Sequence, residues 1–212
     1  MLSTIQQKRR DTIALLKVIK KSQRYKYNIQ DIKVGGFFSY DNQTWQVKHI
    51  SKYLDVKWSS FKRRKKDYFI TELELFSLKT GEKKYIEYEY DDSLEIYETI
   101  KEIKLRYIKS NNQVLTKNIL ENISNDESGE IIYNNKKYFY SENDTWAALY
   151  LKYENDDGLK VRFYEFESDD NESLTIEVWY DDISDDKVQR EAFISKKVLI
   201  SDIEVLQLEL FE

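Results

Sequence analysis

Two spacings of apolar residues divide the chain. Over residues 3–22, Ile5, Thr12, Ile13, Leu16 and Ile19 fall on one face at spacings built from three and four residues, the pattern of a helix with one apolar face. Ser3 or Thr4 stands where its N-cap belongs. From residue 31 the period shortens to two, the signature of a half-buried antiparallel sheet. Phe38-Ser39-Tyr40 and Trp45-Gln46-Val47 flank Asp41-Asn42 and predict a hairpin. A strand is predicted over Tyr68 to Leu75, a turn at Thr80-Gly81, and a second strand over Tyr85 to Tyr90. That second strand sets Ile86, Tyr88 and Tyr90 against Glu87 and Glu89, and Ile103, Leu105 and Tyr107 alternate again. Residues 109–130 break the alternation. There Gln113 to Ile123 predicts a short helix with Leu115, Ile119 and Ile123 on one face, followed by the polar run Asn125 to Gly129.

Beyond that break the pattern returns. Tyr40 to Val47 corresponds to Tyr133 to Tyr140, and Leu73-Glu74-Leu75 to Tyr164-Glu165-Phe166. Ile86 to Asp92 corresponds to Ile176 to Asp182, and Ile103-Lys104-Leu105 to Ile203-Glu204-Val205. The offsets are 93, 91, 90 and 100 residues, in one order along the chain. The expected fold is therefore all-β and mainly antiparallel, with an N-terminal helix and a short linking helix. Two similar strand-rich modules form it, each a bent sheet or partial barrel. The expected organisation is a basic helical segment at 1–30, a first β module at 31–109, a linker at 110–130 and a second β module at 131–212.

Composition supports a core: 41% of residues are hydrophobic and 15% aromatic, too apolar for a disordered chain. With no Pro and five Gly, the turns must draw on Asn, Asp and Ser, which tolerate left-handed backbone and bond their own main chain. The absence of Cys removes disulfides, thiolate nucleophiles and the common zinc sites. No run approaches the ~18 apolar residues of a membrane span, and residues 1–10 lack a signal-peptide core. A soluble protein of a reducing cytoplasm is expected. The net charge of −5 conceals an asymmetry, since residues 1–120 carry +10 and residues 121–212 carry −15. Fields of opposite sign favour oppositely charged partners, or head-to-tail association of copies.

The first module resembles a bacterial family known as domain of unknown function 4178. In that family a Gly leads into an aromatic strand, a turn and a second strand, followed by an aromatic- and Glu-bearing strand and a short later one. The matching residues are Gly36-Phe37-Phe38-Ser39-Tyr40, Trp45-Gln46-Val47, Ile70 to Leu75 and Tyr85-Ile86-Glu87. The segment Ile176-Glu177-Val178-Trp179-Tyr180-Asp181 resembles the family's closing part, so the likeness spans about residues 32–208. It implies no activity, because the family is uncharacterised.

Candidate chemistry is sparse. His49 is the sole histidine and shares the parity of Trp45 and Val47. It reads as a partly buried structural residue, because neither Cys nor a Ser in a nucleophile elbow accompanies it. Glu87 with Asp91 and Asp92, and Glu177 with Asp181 and Asp182, are weak candidates for a hard cation or an acid/base pair. Their simpler reading is acidic loops. The strongest local signal is Lys62-Arg63-Arg64-Lys65-Lys66 beside Lys57, Trp58 and Phe61, cations and aromatics able to hold phosphates. Otherwise it is a solvated hairpin tip, or an internal partner for the acidic second half. The basic N-terminal helix could lie on a membrane surface, though packing across the β modules is the plainer reading. The expected function is a non-enzymatic binding or scaffold protein acting through a protein partner, with no cofactor. The alternative is a binder of nucleic acid or an anionic membrane surface through residues 57–66 and the N-terminal helix.

Overall fold

The computed structural model describes residues 3–140, 145–153, 156–180 and 188–210. Helix α1 (Thr4–Ala14) and the short α2 (Lys21–Arg24) come first. Strands β1 (Phe37–Tyr40), β2 (Gln43–Val56), β3 (Phe69–Ser77), β4 (Lys83–Tyr90) and β5 (Leu94–Ile103) follow. Next come β6 (Lys109–Ser110), β7 (Gln113–Val114) and α3 (Lys117–Asn125). The chain then runs through β8 (Gly129–Tyr133), β9 (Lys136–Tyr140), β10 (Thr145–Leu151), β11 (Leu159–Glu167), β12 (Glu172–Tyr180), β13 (Val188–Lys197) and β14 (Glu204–Gln207). The fold is mainly antiparallel β with few helices. Followed strand by strand, the ladders β2-β3-β4-β5-β13-β12-β11-β10 return to β2 and close an eight-stranded barrel. The remaining strands extend from it. No helix among the described residues is long and apolar enough to cross a membrane.

Contacts gather the chain into two compact units, one of residues 1–51, 71–98 and 198–212, the other of residues 52–70 and 99–197. These units interleave along the sequence, unlike the consecutive stretches 31–109 and 131–212. The reason is that β2, β3 and β5 are long enough to contribute to both, and the C-terminal β14 pairs with β1.

In the first unit the period-two pattern works as read. Leu73, Leu75, Ile86 and Ile96 bury one face against Trp45, Val47, Phe38 and Val205. His49 departs from the expected parity, since Ile50 is the residue that joins Trp45 and Val47 in this cluster. The alternation therefore slips by one after Val47. The predicted helix over 3–22 stops at Ala14. Beyond it, Val18 and Ile19, whose β-branching disfavours helix, lie alongside β14. There Ile19 N–H donates to the Leu206 carbonyl at 2.7 Å and Lys17 N–H donates to Gln207 Oε1. This arm covers a sheet edge that would otherwise be free to pair with another chain. Helix α1 is held by Arg9 Nε donating to the Leu78 carbonyl (2.8 Å) and by Lys8 lying over the Phe76 ring (4.8 Å).

In the second unit, residues 110–130 contribute Leu115, Leu120 and Ile123 to a buried cluster. Asn111 and Asn112 adopt left-handed backbone (φ 49° and 62°) and close the β6–β7 hairpin. Thr116 caps α3, which buries Leu120 and Ile123 among Ile108, Ile131, Tyr138, Phe166, Leu174 and Ile176. On the opposite face of β10 and β11, the Trp146 and Phe163 rings stack at 4.1 Å beside Tyr53, Ala148 and Val161.

Candidate functional site

The basic segment leaves β2 at Val56 and returns through Tyr68, whose carbonyl accepts from Asp55 N–H (2.9 Å). Between them the backbone folds tightly. Phe61 N–H donates to the Lys57 carbonyl and Lys57 N–H to the Lys62 carbonyl, both at 2.9 Å. Phe61 sits at φ 51°, a left-handed conformation costing about 1–2 kcal/mol for a residue with a Cβ. Such a backbone persists only where its surroundings hold it.

Arg162 on β11 supplies that hold within the same unit. Its guanidinium carbon lies 4.4 Å from the Trp58 ring, 5.3 Å from Phe61 and 5.1 Å from Tyr180. Nη2 donates to the Trp58 carbonyl and Nη1 to the Tyr180 hydroxyl, each at 3.1 Å. Trp58 also meets Tyr164 edge-on at 5.6 Å, and Phe61 meets Tyr180 at 5.4 Å. Burial pushes the Tyr164 hydroxyl up to about 12, Tyr180 adding to the rise and the Arg162 charge opposing it.

The candidate residues therefore divide. Trp58 and Phe61 are partly buried, each with its ring against Arg162. Arg64 pairs with Asp55 at 2.6 Å, and Arg63 reaches Asp67 at 3.8 Å. Burial raises the Asp55 carboxyl above the usual range, with Arg64 pulling the other way. Lys57, Lys62, Lys65 and Lys66 are exposed and have no ion-pair partner among the described residues. Arg162 was invisible to sequence reading. It lies 104 residues from Trp58, in an ordinary alternating strand.

The glutamate candidates lie on other strands. Glu87 is half-buried on β4, opposite Glu72 and Tyr97. Glu177 is buried on β12, opposite Phe163 and Glu191, and accepts from Trp179 Nε1 at 2.9 Å. Asp91 and Asp92 are exposed in the turn between β4 and β5, while Asp181 and Asp182 lie outside the described residues. Among the described residues no group of three or more His, Asp or Glu is arranged to hold a metal ion. His49 is half-buried in β2.

A second polar cluster, in the first unit, also went unseen in the sequence. Glu98, 4% exposed, accepts from the Tyr40 hydroxyl at 2.5 Å and pairs with Lys84, whose ammonium lies 5.1 Å from the Trp45 ring. Burial first, and then Glu98, push the Tyr40 hydroxyl well above the ordinary tyrosine range. Every polar group here has a partner inside the sheet, so the cluster reads as structural.

No curated protein and no solved structure matches the chain. The family described as Domain of unknown function (DUF4178) matches residues 33–198, a span that takes in β1 to β13 and both hairpins with left-handed Asp or Asn turns that the sequence had marked. The chain belongs to that family.

Proposed function

We propose that this chain is a non-enzymatic binding protein that acts through a protein partner, presenting the 57–66 loop to an acidic surface on it. One observation carries the reading: an anchored, strained loop sets its two aromatics against Arg162 and leaves Lys57, Lys62, Lys65 and Lys66 exposed, with no ion-pair partner among the described residues. Unpaired lysines on a fixed backbone attract carboxylates and steer their approach. Nucleic acid is the runner-up, and the engagement of Trp58 and Phe61 with Arg162 weighs against it, because sequence-tolerant binding of single strands draws on exposed aromatic faces. An anionic membrane surface is weakened by the N-terminal arm, whose helix is tied to residues 76–78 and whose extended part covers β14.

The same reading takes the chain as two copies of one module. Strands β2-β3-β4-β5 and β10-β11-β12-β13 run round the ring in opposite senses, so that β2 pairs with β10 and β5 with β13. Each set ends in a 3₁₀ turn, Leu105–Tyr107 or Ile200–Asp202, and then a short strand. Those short strands cross over, β6 pairing with β8 and β14 with β1. The element order aligns 105–107 with 200–202, an offset of 95, in place of the offset of 100 read from Ile103 and Ile203.

Fluorescence anisotropy with a labelled poly-glutamate peptide tests the function, run beside single-stranded DNA and phosphatidylserine vesicles at two salt concentrations. The wild-type chain should bind the peptide in a salt-dependent way. A folded Lys57→Gln/Lys62→Gln/Lys65→Gln/Lys66→Gln variant should bind at least about tenfold more weakly. Equal binding by the variant sinks the proposal, and tighter lysine-dependent binding of DNA or vesicles replaces it with the corresponding alternative. Light scattering on the unliganded chain separates head-to-tail self-association from partner binding.

A further inference from the structure

We infer that Arg162 is the positioning residue of the 57–66 loop, holding it in its presenting conformation and so setting the affinity of the site without touching the ligand. The inference rests on the binding role proposed for the loop and concerns how that role is enforced.

Three features single out Arg162. Its contacts land on the loop's own parts: the Trp58 ring, the Phe61 ring and the Trp58 carbonyl. The fourth partner, Tyr180, is itself in edge contact with Phe61 at 5.4 Å, so the guanidinium and the phenol close on the one loop residue with left-handed backbone. Phe61 at φ 51° would relax toward ordinary backbone if nothing held it.

The second feature is a cost. Arg162 Nε is buried without a hydrogen-bond partner among the described residues, and an orphaned buried donor is destabilising. A Met or Leu would fill the space among Trp58, Phe61 and Tyr180 with no such penalty, so packing alone does not call for Arg. A planar fork does. It donates to a carbonyl and a hydroxyl in different directions while its face lies against rings, which a lysine ammonium does not do. The third feature is direction. The guanidinium of the partly buried Arg162 is directed at the Trp58, Phe61 and Tyr180 rings, so its charge is taken up by the loop and its support.

The prediction is a loss of loop order confined to residues 57–62. In Arg162→Met, amide exchange at Lys57 and Phe61, whose N–H groups close the turn, should rise at least about tenfold. Exchange in β12 should be unchanged. Poly-glutamate affinity should fall about tenfold, chiefly through faster dissociation. Arg162→Lys keeps the charge and loses the fork, and should behave like Arg162→Met. Tyr180→Phe removes only the hydroxyl acceptor and should give a smaller change in the same direction, which keeps the test open if Arg162→Met folds poorly. Unchanged loop exchange in Arg162→Met overturns the inference. So does a loosened loop with wild-type peptide affinity, or full rescue by Arg162→Lys, which would make Arg162 a charge and not a clamp. A wild-type chain that ignores the peptide defeats the proposed function instead, and loop exchange in the variants then decides by itself whether Arg162 is a clamp.

Discussion

The β1–β2 and β8–β9 hairpins share a backbone and differ in what they bury. Each turns through two residues, Asp41-Asn42 or Asn134-Asn135, with φ between 49° and 63°. Each flanks the turn with a buried Tyr, Tyr40 or Tyr133. Positive φ at both central residues is the demand of the two-residue turn whose twist suits a hairpin, and Asn or Asp meets it at least cost after Gly. The tyrosines then part company. Tyr40 donates to the buried Glu98, which also holds Lys84, whereas Tyr133 accepts from Lys101 at 2.9 Å, a lysine exposed to water. Turn geometry is dictated locally and is shared. The polar inserts answer to burial, and burial decides what each is worth.

The largest effect should come from Glu98. Removing one partner of a buried charge pair strands the other, a loss of about 3–5 kcal/mol. Glu98→Ala deprives both Lys84 and the Tyr40 hydroxyl of this acceptor and should lower the urea midpoint accordingly. Lys101→Met at the second hairpin should cost less than about 1 kcal/mol, since an exposed ammonium loses little when its partner goes. Two equal losses would contradict the assignment of the first cluster as buried and the second as open.

Alkaline pH tests the same burial through the phenols. In the second unit burial lifts Tyr138 and Tyr164 to about 12, Glu172 adding to the shift at Tyr138. In the first unit Tyr40 is pushed up as well. An unfolded chain ionises its tyrosines near pH 10. Between pH 10 and about 12 the folded state therefore binds more protons than the unfolded one, and stability falls as pH rises. Below pH 10 this contribution is fully present. Urea midpoints at pH 9, 10 and 11 should decline steadily, and Tyr138→Phe or Tyr164→Phe should flatten the decline. A flat wild-type profile would show that the buried phenols do not govern alkaline stability.

What could be read from the sequence follows the same division. The hairpins at 40–43 and 133–136 were legible because two Asn/Asp residues between aromatic strands are a local signal. Most of β3 and β4 was legible from alternation alone. Helix α1 was overextended because Leu16 and Ile19 keep helical spacing while in fact lying along β14, a partner some 190 residues away. The β6–β7 hairpin was hidden by its brevity, and of the two residues that α3 buries the helical spacing marked Ile123 but not Leu120. Arg162 and Glu98 could not be found at all. Their roles come from neighbours brought together by the barrel's ladders, and nothing beside them in the chain marks an Arg or a Glu as inward-facing.

The smallest effect is the sharpest comparison of the two hairpins. Asn42 at φ 55° and Asn135 at φ 63° hold the second turn position, where a Cβ without a bonding side chain meets the left-handed penalty of roughly 1 kcal/mol. Asn42→Ala and Asn135→Ala should each lower stability by about that much. Asn42→Gly and Asn135→Gly should be near neutral, since glycine takes positive φ freely while giving the unfolded chain more freedom. Polar surroundings do not enter, so the two sites should agree even though Glu98 and Lys101 do not. If alanine costs several times more at one hairpin than at the other, the turns are not equivalent. The reading of the chain as one module used twice then loses its most local support, whatever the order of strands around the ring.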